Sequence, residues 1–409
     1  MDTSLLFASV HSGCSWLDEH LKSFIKKYSP NVIFAEDLTC CVDRKAALYQ
    51  ICDGQRFNTN KFVVPLKHPN SLINVYPNDD ALTRKNCLSR IIEYWVVKRP
   101  ESILKAHVPI TIPLDLDYAE YIEDSLAEAD SFELCQSMEA NDDKEPSARD
   151  WWILKPAMTD CGYGIRIFST MTDLVGYLES VDSDEGDSPP IDRDRVPSSL
   201  LREFVAQKYL TSIPLLNGKK FHVRAYVLAI GRLQVFVYRE LLSLIASEIY
   251  RQPWDNPTLR SSLTNSSLQP EDIQSDSARS FWSSIPDDIL PGDWKDDVFR
   301  QICQISAEVF RAASQAATGG LVLLPGCFEL FALDFLIDNT GSVWLLEVNG
   351  GPVISKEGEA GSLALRLFES IISITVGKLA RANKTTLAEK RMIEVLNDEL
   401  GRSNIREIV

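Results

Sequence analysis

Two acidic residues that the chain cannot keep apart constrain it most. In the stretch CFELFALDFLIDNTGSVWLLEVNGGP, which starts at Cys327, two apolar runs flank the turn signal Asp338-Asn339-Thr340-Gly341. A hairpin with a four-residue loop over 339–342 pairs residue 338 with 343 and sets Asp334 opposite Glu347. Asn349, two residues beyond Glu347, shares their face because strand side chains alternate. Like charges directly opposite one another destabilise a sheet. The flanking Leu333, Phe335, Leu346 and Val348 do not belong to a solvated face. A divalent cation resolves the conflict, and magnesium suits one or two carboxylates, an amide oxygen and nucleotide phosphates. The bland alternative is an exposed edge hairpin with salt-bridged acids, which a one-residue slip in register would produce.

A second hairpin carries the opposite charge. In KKFHVRAYVLAIGRLQVFVYRE, Gly231-Arg232 has the Gly-X form of a two-residue type II′ turn, which places Arg224 opposite Arg239. Alternation puts Lys220, His222 and Arg224 on one face and Phe221, Val223 and Ala225 on the other. Such a face is costly unless an anion lies over it, and triphosphate oxygens match arginine forks. A solvated basic stripe is the alternative. A metal site beside a phosphate site is the signature of nucleotide-triphosphate chemistry.

Further pieces fit that reading. Trp151–Pro156 reads as a strand ending in Lys155, followed by a loop with Gly162 and Gly164 and a second strand over 165–168. Strand–glycine loop–strand differs from the strand–loop–helix of dinucleotide-binding and P-loop sites. Loop amides could close over phosphates while Lys155 reaches them from below. In LLREFVAQKYL an apolar strand leads into Gln207-Lys208-Tyr209-Leu210, suited to the edge of a base or to an ordinary core.

A chain of 409 residues, 45% hydrophobic, has room for two or three domains. Residues 1–75 suggest a small α/β domain, with a helix over 16–28 and strands over 31–38 and 61–66. The expected divisions that follow are 76–205 with the glycine loop, 206–385 with the metal site, and a helix and tail over 386–409. A helix over 82–106 is interrupted at Pro100. The polar stretches 136–150, 180–199 and 251–297 read as exposed loops, with Trp254, Phe281, Trp282 and Trp294 packing parts of the last. With 58 acidic against 42 basic residues the charge is −16, which disfavours nucleic acid and anionic membrane as partners. No apolar run approaches the ~18 residues of a membrane span, and no basic region precedes the N-terminal apolar stretch. Nine cysteines with only five histidines and no CxxC pair exclude a zinc spacing and point to reduced thiols in a cytosolic or nuclear protein, with the cytoplasm the expected location.

The pieces LTRKNCLSR, WWILKPAMTDCGYGI, LLREFVAQKYL, NGKKFHVRAYVL, VFVYRE, FELFALDFLID and WLLEVNGGP, in that order over 82–352, resemble the tubulin–tyrosine ligase family of ATP-grasp enzymes. The wording is most similar to fungal members, some of which carry the domain in longer chains linked to mRNA decay. The resemblance implies an α/β (α+β) ATP-grasp fold behind a small N-terminal α/β domain. It implies an ATP- and magnesium-dependent ligase that forms an amide through an acyl phosphate. Lys85, Lys155, Arg224 and Arg239 would then meet nucleotide phosphates, with Lys155 and the two arginines catalytic. Gln207, Lys208, Leu210 and Lys220 would border the base, and Asp334, Glu347 and Asn349 would hold Mg2+. His222 stands where the family has aspartate beside the nucleotide, and Cys161 replaces a polar loop residue. The implied partners are an amino acid and a protein or peptide acceptor, tubulin among them. A small-molecule amide ligase and a non-catalytic module binding mRNA-decay proteins are the rival readings.

Overall fold

The computed structural model describes residues 5–41, 46–53, 68, 70–116, 121–128, 131–158, 164–183, 203–255, 257–264, 277–352, 355–379 and 386–398. The strand expected over 61–66, Cys161, Gly162 and most of 180–199 lie outside them.

The first sheet is parallel, with strands β1 (Leu6–His11), β2 (Ile33–Phe34), β3 (Ala47–Cys52) and β4 (Ser71–Ile73) in the order β2-β1-β3-β4. Helix α1 (Ser15–Tyr28) buries Leu17, Leu21 and Ile25, the helical spacing seen in the sequence. The strand expected over 31–38 shrinks to two residues. Asp37 accepts a bond from the Thr39 amide at 2.8 Å and turns the chain into the 3-10 helix Thr39–Cys41. A one-turn helix, Asp80–Thr83, then leads into α2 (Lys85–Lys98), and helix resumes at Leu104–His107 beyond Pro100.

The second sheet is antiparallel: β5 (Thr111–Asp115), β6 (Trp152–Pro156), β7 (Arg166–Phe168) and β8 (Glu203–Lys208), ordered β5-β8-β6-β7. Helices α3 (Phe132–Asp142) and α4 (Met171–Ser183) cover one face through Leu134, Met138, Leu174 and Leu178. The expected loop over 136–150 is therefore helical at its start. Its acids lie outward, while buried Asn141 donates to the Asp150 carbonyl at 2.7 Å and the Ser169 carbonyl at 2.8 Å, fastening the segment that follows.

The third sheet holds β9 (Phe221–Ile230), β10 (Gln234–Tyr238), β11 (Leu242–Ile245), β12 (Ala278–Ser280), β13 (Phe328–Ile337), β14 (Val343–Gly350) and β15 (Met392–Asn397). β9 pairs with β13 along one edge and with β10 and β11 along the other. Helix α5 (Trp294–Ser314) packs on the face carrying Val223, Ala225 and Val227. Helix α6 (Gly358–Leu379) packs with the first sheet on the face of Tyr226, Leu228 and Ile230. α6 has the length and apolarity to cross a membrane, yet its Leu363, Leu367 and Ile371 are buried in this core. Two expectations are corrected here. The polar stretch 251–297 runs into α5, and 386–398 ends in strand β15 beside β10, because Met392 packs into the α6 core and Val395 and Leu396 into the α5 core.

Both hairpins differ from their expected turns. In β13–β14, Asp334 pairs with Glu347, but Ile337 pairs with Val343, so the loop is 338–342 and a bulge at Leu346 restores the pairing at the acids. In β9–β10, Ile230 pairs with Gln234, giving the three-residue loop 231–233 with Gly231 at φ 63° and Leu233 at φ 97°. Burial of Leu233 in the α5 core offsets that left-handed backbone. The one-residue slip carries Arg239 to the opposite face from Arg224.

Candidate nucleotide and metal site

The second and third sheets face each other across an open cleft of about 660 Å³. From the second sheet come Lys155, Gln207, Lys208 and, just beyond β8, Tyr209 and Leu210. Lys220, His222, Asp334 and Glu347 come from the third. Strand alternation builds this wall. Lys220, His222 and Arg224 continue the face that bears Tyr226 and Leu228 further along β9, at the end α6 does not cover.

Asp334 is the buried centre. Arg224 donates to both its oxygens, from Nε at 2.8 Å and Nη2 at 2.7 Å. Asn349 Nδ2 donates to Oδ2 at 3.2 Å, and His222 Nε2 lies 3.4 Å from Oδ1. Burial opposes charge on Asp334, but Arg224 and His222 outweigh it and hold the carboxyl far below its usual range. Glu347 faces Lys85 Nζ, at the start of α2, at 3.7 Å. His222 Nδ1 bonds the Thr264 hydroxyl.

Two further cations, Lys220 and Lys155, are buried and short of charge partners, whereas half-buried Lys208 pairs with Asp150 at 3.2 Å. Lys220 donates to the Tyr209 hydroxyl at 3.1 Å and lies 4.4 Å from that ring's centre, and burial lowers its pKa to about 7. Lys155 donates to Gln207 Oε1 at 2.7 Å; burial lowers its pKa to about 8 against the pull of Glu347. An anion entering the cleft would restore the charge that burial disfavours on these lysines.

Two carboxylates with a nearby amide make an all-oxygen donor set that fits a hard cation. Among the described residues no cluster of three or more His, Cys, Asp or Glu is placed to hold a metal. A cation at Asp334 and Glu347 would therefore complete its shell with water and phosphate, arriving with its nucleotide.

The structure does not bring every expected residue together. Arg239 lies on the α5 face, where Nη2 donates to Asp296 at 2.9 Å and the guanidinium lies over Trp282 and Phe299. No arginine pair forms, and Arg224 is matched by Asp334. Gly164 has φ 68° and its carbonyl accepts from Tyr177 at 3.2 Å; Gly162 lies outside the described residues. The sequence reading missed Tyr250, Leu263, Thr264 and Thr111. Leu263 and Thr264 stand in the stretch read as loop and Tyr250 just before it, and no spacing signal places them at the cleft.

The tubulin-tyrosine ligase family model matches residues 65–384. The chain belongs to the tubulin–tyrosine ligase family. Over 311 residues this family member is 38% identical to a probable tubulin–tyrosine ligase of Schizosaccharomyces pombe, covering 72% of the chain and 75% of the relative. Over 392 residues it is 33% identical to the probable tubulin–tyrosine ligase PBY1 of Saccharomyces cerevisiae, covering 88% of the chain but spanning only 50% of that relative. Among solved structures it resembles the C-terminal domain of K. lactis Pby1, described as an ATP-grasp enzyme interacting with the mRNA decapping enzyme Dcp2. That likeness has a TM-score of 0.71 at 28% identity and covers 96% of this chain and 99% of the other. The tubulin–tyrosine ligase-like chain thus has the ATP-grasp fold that its motifs imply.

Proposed function

We propose that the chain is an ATP- and Mg2+-dependent carboxylate–amine ligase that adds an amino acid to a protein or peptide carboxylate in the cytoplasm. The observation that carries this is the cleft itself, where Lys85, Lys155 and Lys220 surround the cross-strand pair Asp334 and Glu347.

A carboxylate is a poor electrophile. In the proposed reaction an acceptor carboxylate oxygen attacks the γ-phosphorus of ATP, ADP leaves, and an acyl phosphate forms. The amine then attacks the acyl carbon, phosphate leaves with the C–O bond electrons, and the amine loses a proton, giving the amide. Lys85 and Lys155 hold phosphate oxygens at the second-sheet side of the cleft, where exclusion of water strengthens each contact. Gln207, Lys208, Leu210 and Lys220 border the base, and Arg224 fixes the orientation of Asp334. Asp334, Glu347 and Asn349 would hold magnesium, which when bound offsets charge on the transferred phosphoryl group. Positioning supplies much of the remainder. Tubulin is the acceptor suggested by family membership.

A second reading, a nucleotide-binding interaction domain in an mRNA-decay assembly, draws support from the Pby1 likeness and from Arg224 engaging both oxygens of Asp334. Calorimetric titration with ATP at varied magnesium, then ADP release with a panel of amino acids and peptide carboxylates, separates the two. The ligase reading expects magnesium-dependent binding lost in Glu347→Gln, and ADP release that requires both co-substrates. ATP binding without turnover favours the interaction domain, and metal dependence unchanged in Glu347→Gln sinks the assigned site.

A further inference from the structure

Lys155 is buried at the cleft wall, so its ammonium needs an acceptor held in place. That acceptor is Gln207 Oε1, at 2.7 Å. The two ends of an amide are nearly alike in shape, and what holds one end decides which end faces the lysine. Gln207 Nε2 donates to Thr111 Oγ1 at 2.9 Å, and Thr111 Oγ1 donates to the Pro109 carbonyl at 2.7 Å. The Pro109 carbonyl can only accept, so the Thr111 hydrogen is committed to it. The hydroxyl then offers only lone pairs to Gln207, which must turn its NH2 toward Thr111 and its oxygen toward Lys155. Donation runs one way, from Lys155 to Gln207 to Thr111 to Pro109. Sheet register makes the alignment rigid, since Gln207 of β8 pairs with Thr111 of β5 on one side and Ile153 of β6 on the other.

We propose that Thr111 is the positioning residue for Lys155, fixing the polarity of the Gln207 amide so that the ammonium is held at the cleft wall. The consequence for phosphate binding rests on the ligase reading above; the hydrogen-bond chain does not. Without the Thr111 hydroxyl the Gln207 NH2 loses its acceptor and the amide is no longer anchored, so Oε1 is not held at the ammonium and the bond that favours the charged form of Lys155 weakens. The charged groups facing Lys155, namely Lys85, Lys220, Asp334 and Glu347, are untouched by a change at Thr111.

The test uses the full chain with Thr111→Val, which keeps the shape without the hydroxyl, and Thr111→Ser, which restores it. The first readout needs no nucleotide: the pH dependence of Lys155 acetylation by acetic anhydride, followed by peptide mass spectrometry. The Val variant is expected to shift the Lys155 midpoint down by about half a pH unit or more, with Ser at the wild-type value. In a Gln207→Glu background a carboxylate has no polarity to set, so Thr111→Val should then leave the midpoint nearly still. An unmoved midpoint in Thr111→Val alone overturns the proposal, as does an equal shift in the Glu background. The second readout is ATP affinity with magnesium, expected to weaken about fivefold in Val and to recover in Ser. A shifted midpoint in a protein that binds no ATP removes the nucleotide reading and leaves the positioning role standing. Should Thr111→Val fail to fold, Gln207→Met removes the same acceptor and is expected to lower the Lys155 midpoint at least as far; no shift there overturns the proposal.

Discussion

At Asp334 and Lys220, burial and charge pull in known directions, so substitutions have predictable signs. Arg224→Leu leaves Asp334 buried without its main partner, and loss of one member of a buried pair costs about 3–5 kcal/mol. The folded Asp334 carboxyl lies below its unfolded value of 3.8, so the stability from the pair is present above that pH and lost as pH falls through the folded value. Urea melts should therefore show the Arg224→Leu deficit largest at neutral pH and smaller in acid, with Arg224→Leu/Asp334→Asn recovering much of it. Lys220 behaves oppositely. Its pKa near 7 means that the free protein loses this charge as pH rises through neutrality, and affinity for a triphosphate should fall over the same interval. Lys220→Met keeps the stem against Tyr209 and removes that loss. A fluorescent ATP analogue titrated from about pH 6 to 9 should show the variant weaker at low pH, retaining only the later decline from Lys155, whose pKa is about 8.

Strand register decides which of these side chains meet, and the two hairpins show where sequence stops specifying it. The Asp334–Glu347 pair was legible because apolar runs on both sides of an Asp-Asn-Thr-Gly turn leave few registers, and two acids directly opposite one another demand a reason. The turn itself was misjudged. Asp338 accepts from the amides of Thr340 at 2.8 Å and Ser342 at 3.1 Å, widening the loop by one residue, and the bulge at Leu346 takes up the difference. That bulge also turns adjacent Leu346 and Glu347 toward the same cleft. No compensating bulge exists between β9 and β10. A buried leucine at φ 97° is rare enough that Gly231-Arg232 alone gives no sign of it, so Arg239 was assigned to phosphate when it braces α5. Arg239→Ala should thus lower stability by about 1 kcal/mol, through lost stacking and a surface ion pair, and leave ATP affinity within about twofold of wild type. Denaturant melts beside calorimetric titration check both halves, and a tenfold loss of affinity would return Arg239 to the site. The helix α3 was hidden differently, by outward acids that mask the spacing of Leu134 and Met138.

Across the whole molecule the cleft depends on how α2, which carries Lys85, is fixed to the hairpin that carries Glu347. Residues 76–83 make that joint. The Tyr76 amide donates to Glu329 Oε2 at 2.8 Å, and the Tyr76 hydroxyl donates to the Gly231 carbonyl at 2.9 Å. At Gly350, the last residue of β14, a Cβ would stand 3.0 Å from Thr83 Cγ2 and 3.1 Å from Asp79 Oδ2, so glycine lets the one-turn helix approach the hairpin closely there. Asp79 and Glu329 hydrogen-bond to each other in this joint; burial first, then mutual repulsion, raises Glu329 well above 4.5, and burial also raises Asp79. A carboxyl pair of this kind holds together by sharing a proton. The folded state binds that proton more tightly than the unfolded chain, so its contribution is complete below about pH 4.5 and erodes as pH rises through the folded value. Glu329→Gln keeps the geometry without the titration, its oxygen accepting from Tyr76 and its NH2 donating to Asp79. Urea melts between about pH 5 and 9 should find the variant close to wild type in acid and increasingly more stable as pH rises. Hydrogen exchange at residues 76–85 should show slower opening of the joint at the alkaline end. A variant that loses stability in parallel with wild type would mean that the pair carries no shared proton, and the α2 joint would then rest on the Tyr76 bonds and the close approach at Gly350 alone.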